Sequence, residues 1–324
     1  MTEKGKALWS LALLSPIIAE LMSGSSPPLE FFNPFSFALL LGLYGAGALV
    51  VRELVVMWDK GWASVLCLGV AYGILEEGVA IKSFFDPEWM DLGGLGEYGR
   101  YLGTNFVWAV WLTIYHAMIS ISLPILLVSI LFPRLRRERF LEGRKFTMVL
   151  VILFLDVLVC TTLLNDYVPF PPMYVLSIAA VFAFAYLAKV IPKDLLSPLH
   201  QGPSWSLWKF SALGFAFFAL CFLIVGVFVD TSVLPIVPVV IMLMMASISV
   251  LLIVQHIGRT ENLSAKVYLA CGLLGFFVPL GIILELNGML GMSLVALVTA
   301  MFIVDLTRWS RGKRSIMFRF KVTA

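Results

Sequence analysis

Lysine and arginine in this chain fall almost entirely in alternate gaps between long apolar runs, and this segregation restricts the fold more than any other feature of the sequence. Ten runs are long enough for helices that cross a hydrocarbon core about 30 Å thick. They are 7–23, 36–53, 62–85, 105–132, 146–166, 172–191, 208–229, 233–257, 266–286 and 289–307. With the N-terminus in the cytoplasm, 21 of the 23 cations lie on the cytoplasmic side and only Lys82 and Arg100 lie opposite. Positive-inside insertion produces such a bias, and a wrong number of spans would scramble it. The expected fold is an all-α, polytopic transmembrane helix bundle with both termini cytoplasmic. It forms one integral domain over 1–324 in the cell membrane. Pro16 and Glu20 interrupt the first run and no A-x-A site follows it, so the run reads as a span and not as a cleaved leader.

Composition supports the same class. The chain is 60% hydrophobic and 13% charged, against roughly 25% charged in soluble domains. Its net charge of +3 resides in short loops and in a basic tail, 308–324, so membrane lipids are the expected partners and nucleic acid is not. The cytoplasmic loop 133–145, rich in arginine, reads as a topology determinant beside anionic lipid. Cys67, Cys160, Cys221 and Cys271 each lie inside an apolar run without paired spacing, which makes them packing groups. The exoplasmic loop 86–104 carries Asp86, Glu88, Asp91 and Glu97 among five glycines, and suits either a lid over an outer cavity or a plain acidic loop.

Within this frame the stretch YGILEEGVAIK, 72–82, is the anomaly, because ionised groups inside a membrane are costly and rare. At 1.5 Å per residue, Glu76 lies roughly 20 Å from the cytoplasmic start of its span, and His116 lies about 16 Å in from the outer side, nearly level with it. Gly69, Gly73 and Glu77 recur at intervals of four, a small-residue stripe that points Glu77 into the bundle. Glu76 is then turned about 100° away. Lys82 is too far along the chain for an intrahelical pair, so a partner for the glutamates is expected from another helix. Thr113, His116 and Ser120 share one face of the fourth span, and Pro124 frees the carbonyl of Ser120. Asp156 lies about 15 Å deep in the fifth span. Glu20 and Glu285 come near the outer ends of their helices, where interfacial water is the simpler partner, and His256 lies at the cytoplasmic end of the eighth.

These groups allow two activities. A binding set of Glu76, Glu77, His116, Asp156, Ser120, Glu20 and Glu285 suits a proton- or cation-coupled transporter for a small polar solute or ion. Glu77, His116 and Asp156 would form its coupling site, with Glu76 tuning it. The alternative is a membrane-embedded hydrolase in which one of Glu76 and Glu77 activates water and His116 transfers a proton. Glu, Glu and His would also supply three ligands to a metal and leave one position open. No H-E-x-x-H or comparable spacing marks a metal, and the sequence names no cofactor. Buried polar groups that only specify packing are a third use.

The run LYGAGALVVRELV, followed by GWASVLCLGVAYGILEEGVAIKSFFDP, resembles segments of uncharacterised multi-pass membrane proteins of prokaryotes over the first third of the chain. The Glu76–Glu77 pair also resembles that of the CPBP family of intramembrane proteases, which includes CAAX-processing enzymes. There, an adjacent glutamate pair is followed after three residues by arginine, and histidines on later helices complete the site. The resemblance implies a protease site containing Glu76, Glu77 and His116. The sequence departs from that pattern at Lys82, one position late, and at Leu112, where the family has an aromatic residue. It also departs at His256, the one later membrane-associated histidine, which the topology sets on the other side of the bilayer.

Overall fold

In lipid each backbone N–H and C=O must be satisfied within the protein, which is why the apolar runs become helices. The computed structural model describes residues 1–229, 231–258 and 263–314. Helix α1 runs over Glu3–Pro16 and continues as a π-helical turn, Ile17–Leu21. Among the described residues, nine further helices are long and apolar enough to cross a membrane: α2 (Pro34–Met57), α3 (Trp62–Ala80), α4 (Phe106–Leu131), α5 (Arg144–Leu164), α6 (Pro171–Val190), α7 (Leu207–Val227), α8 (Ile236–His256), α9 (Leu263–Leu286) and α10 (Met292–Ser310). The ten expected spans therefore fall on ten helices. The first differs from the rest in carrying Glu3, Lys4, Lys6 and Glu20, too many charges to qualify by composition. Of the basic tail, 315–324 lies outside the described residues, as does Arg259.

Burial separates a centre from a periphery. The most apolar stretch of α4 is 72% buried and that of α3 67%, against 11% in α5 and 6% in α6. Against the central pair pack α1, α2, α6, α7, α8 and α9, and α10 packs in turn on α9. Phe154 and Leu155 on α5, with Phe182 and Tyr186 on α6, project apolar surface outward as lipid-facing residues do. Among the described residues the only strands are β1 (Arg100–Tyr101) and β2 (Thr104–Asn105), an antiparallel pair in the loop before α4.

The small-residue stripe sets the distance between α3 and α4. A Cβ placed on Gly69 would come within 2.8 Å of the Ala117 Cα, and one on Gly73 within 3.0 Å of the His116 Cβ. The carbonyl freed by Pro124 is re-satisfied across the bundle, where Ser15 Oγ donates to Ser120 O at 2.6 Å. Gly69→Val is expected to push the two helices apart and cost about 1–3 kcal/mol. In Gly226→Ala, by contrast, the added methyl meets nothing within 4 Å, and helix propensity adds about 1 kcal/mol of stability. Thermal unfolding in detergent checks the pair, and equal midpoints would contradict the close contact.

In the last turns of α2, Arg52 and Glu53 are both buried and face one another, Arg52 Nη1 donating to Glu53 Oε1 at 2.5 Å. Arg52 Nη2 also donates to the carbonyls of Leu135 and Glu138 at 2.7 and 2.6 Å, and its guanidinium lies 3.3 Å from the Phe140 ring centroid. Glu53 accepts from the backbone N–H groups of Phe140 and Leu141 at 2.9 and 3.2 Å. One ion pair thus fastens the whole 133–143 connection to α2.

Candidate functional site

Four helices leave α-geometry where they carry a deep polar group. The π-helical segments Ile17–Leu21, Leu41–Gly45, Ile74–Ala80 and His116–Ser122 hold Glu20, Tyr44, the Glu76–Glu77 pair, and His116 with Ser120. A π turn widens the helix and occurs mostly as a short insertion, frequently at functional sites. Its effect is clearest on α3. An α-helix would point Glu76 about 100° away from Glu77, yet both carboxylates reach the same imidazole. His116 Nε2 lies 2.9 Å from Glu76 Oε2 and 3.0 Å from Glu77 Oε1. The two acids, expected to diverge, instead converge on one imidazole.

The cluster extends in both directions. Ser120 Oγ lies 3.0 Å from His116 Nδ1 and fixes the ring from behind. Ser83 Oγ donates to Glu77 Oε2 and accepts from Trp108 Nε1 at 3.1 Å. On the other flank, Tyr44 Oη lies 2.9 Å from Glu76 Oε1 and 2.6 Å from Glu20 Oε1, and Ser26 Oγ donates to Glu20 Oε2 at 2.8 Å. Tyr44, Tyr72 and Tyr115 surround the imidazole, with ring centroids 5.3–6.2 Å from it. His116 is 1% exposed, Glu76 3% and Glu77 9%, so water is almost entirely excluded. The ligand atoms of Glu76, Glu77 and His116 all lie within 4.8 Å of one another, the spacing of a candidate metal centre.

This polar cluster ends a cavity of about 620 Å³, within the range of small-molecule sites. Glu20, Glu77 and His116 form its polar end, and Trp111, Tyr115, Phe218, Phe222, Phe276 and Phe277 form aromatic walls. Asp91, Leu92, Gly94 and Leu95 bring the 86–104 loop to the same cavity. That loop is held in place by Asn105, whose side chain donates to Leu95 O at 2.6 Å, and by Arg100, whose Nη1 donates to Phe85 O at 2.6 Å.

The remaining candidates divide. Glu20 is not solvated at an interface: it is 9% exposed, because the turn at 23–28 folds back and supplies Ser26 to its carboxylate. Asp156 stays outside the cluster. It lies on peripheral α5 against Gly42, since rise along a helix predicts depth but not the direction a side chain faces. Glu285 accepts from Ser293 N at 2.8 Å and so satisfies a free N–H at the start of α10. His256 stacks on Trp205, ring centroids 4.2 Å apart, and takes no part in the site. Lys82 also turns away, donating to the carbonyls of Asn165 and Tyr167 at 2.7 and 3.0 Å. Tyr44, Ser26, Ser83 and Trp108 were not anticipated. Their one sequence signal is a hydrogen-bonding side chain set in or beside an apolar run.

The sequence model of an uncharacterized membrane protein family matches residues 10–311. None of the curated proteins and none of the solved structures matches the chain.

Proposed function

We propose, for a chain that belongs to an uncharacterized membrane protein family, that it is a membrane-embedded hydrolase whose substrate has a long apolar part and a polar scissile group. The observation that carries this reading is the ending of an aromatic-walled cavity on a buried Glu76, Glu77 and His116 cluster. The apolar part of the substrate fills the space between α7 and α9, which sets the scissile group beside Glu77 and His116. These residues activate a water molecule. Water adds across the scissile bond, one fragment keeping the hydroxyl and the other taking the proton. Glu20 also lines the cavity and is linked through Tyr44 to Glu76, so it offers a route for that proton. The segregation of lysine and arginine supports an exoplasmic opening for the cavity and cytoplasmic termini.

The test compares wild type with Glu77→Gln, each incubated in detergent with membrane lipid and membrane peptide extracts from the source cell and read by mass spectrometry. A species consumed only by wild type, with fragments summing to its mass plus one water, is the expected result. Absence of any such set overturns the reading.

One observation favours a second reading. The series of close polar contacts from Glu20 through Tyr44, Glu76 and His116 to Glu77 would also serve a proton- or cation-coupled transporter. Proton flux into liposomes holding the purified protein, lost in Glu77→Gln, would select transport instead.

A further inference from the structure

The site contains more close polar contacts than it has protons to fill them. Six contacts run in series: Ser26 to Glu20, Glu20 to Tyr44, Tyr44 to Glu76, Glu76 to His116, His116 to Glu77, and Glu77 to Ser83. The hydroxyls of Ser26, Tyr44 and Ser83 and one N–H at His116 Nε2 supply four protons. The deficit at Tyr44 closes when Glu20 and Glu76 share one added proton, because the phenol oxygen accepts as well as donates.

The deficit at His116 does not close that way. A ring nitrogen carries one hydrogen or one lone pair, so Nε2 makes one full hydrogen bond or a weaker three-centre bond shared between two acceptors. Two carboxylate oxygens nevertheless lie 2.9 and 3.0 Å from it. The bond is made with Glu77 Oε1, and Glu76 Oε2 is left buried without a hydrogen-bond partner on a residue 3% exposed. Burying an unpaired carboxylate oxygen is strongly unfavourable.

We infer that Glu76 Oε2, Glu77 Oε1 and His116 Nε2 bind one divalent transition-metal ion, zinc or manganese by class, with a further coordination position open to the cavity. A cation is engaged by all three lone pairs at once, whereas a single N–H on the ring must be divided between the two oxygens. Two donors on one such ion at about 2.1 Å stand about 3.0–3.4 Å apart for ordinary coordination angles; the two nitrogen–oxygen separations, 2.9 and 3.0 Å, are close to that span, and the two carboxylate oxygens, within 4.8 Å of one another, adjust to it by side-chain rotation when the ion binds. Two carboxylates and one imidazole suit zinc or manganese. Magnesium and calcium prefer oxygen alone, and copper(I) prefers sulfur. With Nε2 given to the ion, Nδ1 carries the hydrogen and donates to Ser120 Oγ, the outer hydrogen bond that metal-bound histidines regularly make. Glu77 and His116 line the cavity whereas Glu76 and Ser120 do not, so the open position faces substrate and the supporting groups stand behind.

This inference names the cofactor of the hydrolase proposed above and rests on that reading for its purpose, but its test does not depend on turnover. Purified wild-type protein is stripped with chelator, incubated in turn with zinc, manganese and cobalt(II) ions, and passed through a desalting column. Elemental analysis then gives metal per chain, and visible absorption reports the coordination of cobalt. The expected result is one equivalent in wild type and in Tyr44→Phe. Glu76→Gln, Glu77→Gln and His116→Ala should each bind at least about 100-fold more weakly, and the cobalt band should vanish in His116→Ala. Elution volume and unfolding midpoint matched to wild type confirm that the variants are folded. Less than a tenth of an equivalent in wild type overturns the inference, and so does metal retained equally by all three ligand variants. Hydrolysis by fully stripped protein would remove the ion and leave the enzyme. A bound ion without hydrolysis would remove the enzyme and leave the ion.

Discussion

Glu53→Ala is expected to destabilise the protein by about 3–5 kcal/mol, because it leaves the guanidinium of Arg52 buried without its counter-charge. Arg52 and Glu53 are 6% and 0% exposed, so water can replace neither partner. The pair does more than neutralise itself. Glu53 holds the N–H groups of Phe140 and Leu141, and Arg52 holds the carbonyls of Leu135 and Glu138, so each truncation also strands backbone groups of the 133–143 connection. At about 2–4 °C per kcal/mol for a large domain, the unfolding midpoint in detergent should fall by roughly 6–20 °C. Glu53→Gln keeps an acceptor oxygen and loses the charge, so its loss is smaller than that of Glu53→Ala. Arg52→Lys retains the charge but not the planar fork that reaches two carbonyls and the Phe140 face, and should fall between Glu53→Gln and Glu53→Ala. A Glu53→Ala midpoint within 2 °C of wild type, on the same scale, would show that the pair carries little of the stability.

Arg52 also illustrates what a sequence conveys and what it withholds. Read along the chain, it is one of many cations that mark a cytoplasmic loop, and its adjacent partner Glu53 attracts no attention. The number of long helices and the position of each polar group along its helix were legible, because both follow from run length and a fixed rise per residue. Gly69 and Gly73 likewise identified the helix face that meets α4, since a small-residue interval has a direct steric meaning. Which side chains converge was legible only in part. His116 and Glu77 came together as expected, whereas Asp156, equally deep, faces Gly42 at the periphery.

The reason lies in helix azimuth, which a π turn changes without any distinctive residue. One wide turn, Ile74–Ala80, lies where Glu76 and Glu77 both reach His116, and another, Leu41–Gly45, lies where Tyr44 reaches Glu20 and Glu76. Neither insertion has a distinctive compositional signature, although both contain glycine, Gly42 and Gly45 in one and Gly78 in the other. The site is thus assembled from departures from regular geometry, which periodicity arguments average away. Tyr44 was invisible for a related reason: a tyrosine in an apolar run reads as hydrophobic bulk until a carboxylate is found against its hydroxyl.

His116→Ala is expected to lower hydrolytic turnover by about 10²–10⁴-fold, the ordinary worth of a positioned proton-transfer or water-activating group. Its imidazole is the one group within 3.0 Å of both Glu76 and Glu77, so its removal separates the two carboxylates from any common partner. Ser120→Ala separates orientation from chemistry. Ser120 contacts Nδ1 at 3.0 Å and does not line the cavity, so it acts on substrate only through the ring. Losing such an outer hydrogen bond should cost about 10–100-fold, and the whole of it should appear in kcat with KM unchanged. Phe218→Ala supplies the converse case, because Phe218 lines the cavity and touches no carboxylate of the site. Its effect should appear mainly in KM, since it removes apolar contact that ground state and transition state share. A Ser120→Ala enzyme whose KM rises while kcat holds would mean that the hydroxyl meets substrate directly, which the buried position behind His116 argues against. Equal kcat losses in Ser120→Ala and His116→Ala would instead mean that the ring cannot hold its place without that hydrogen bond. In that case the three tyrosines around it contribute almost nothing to fixing it.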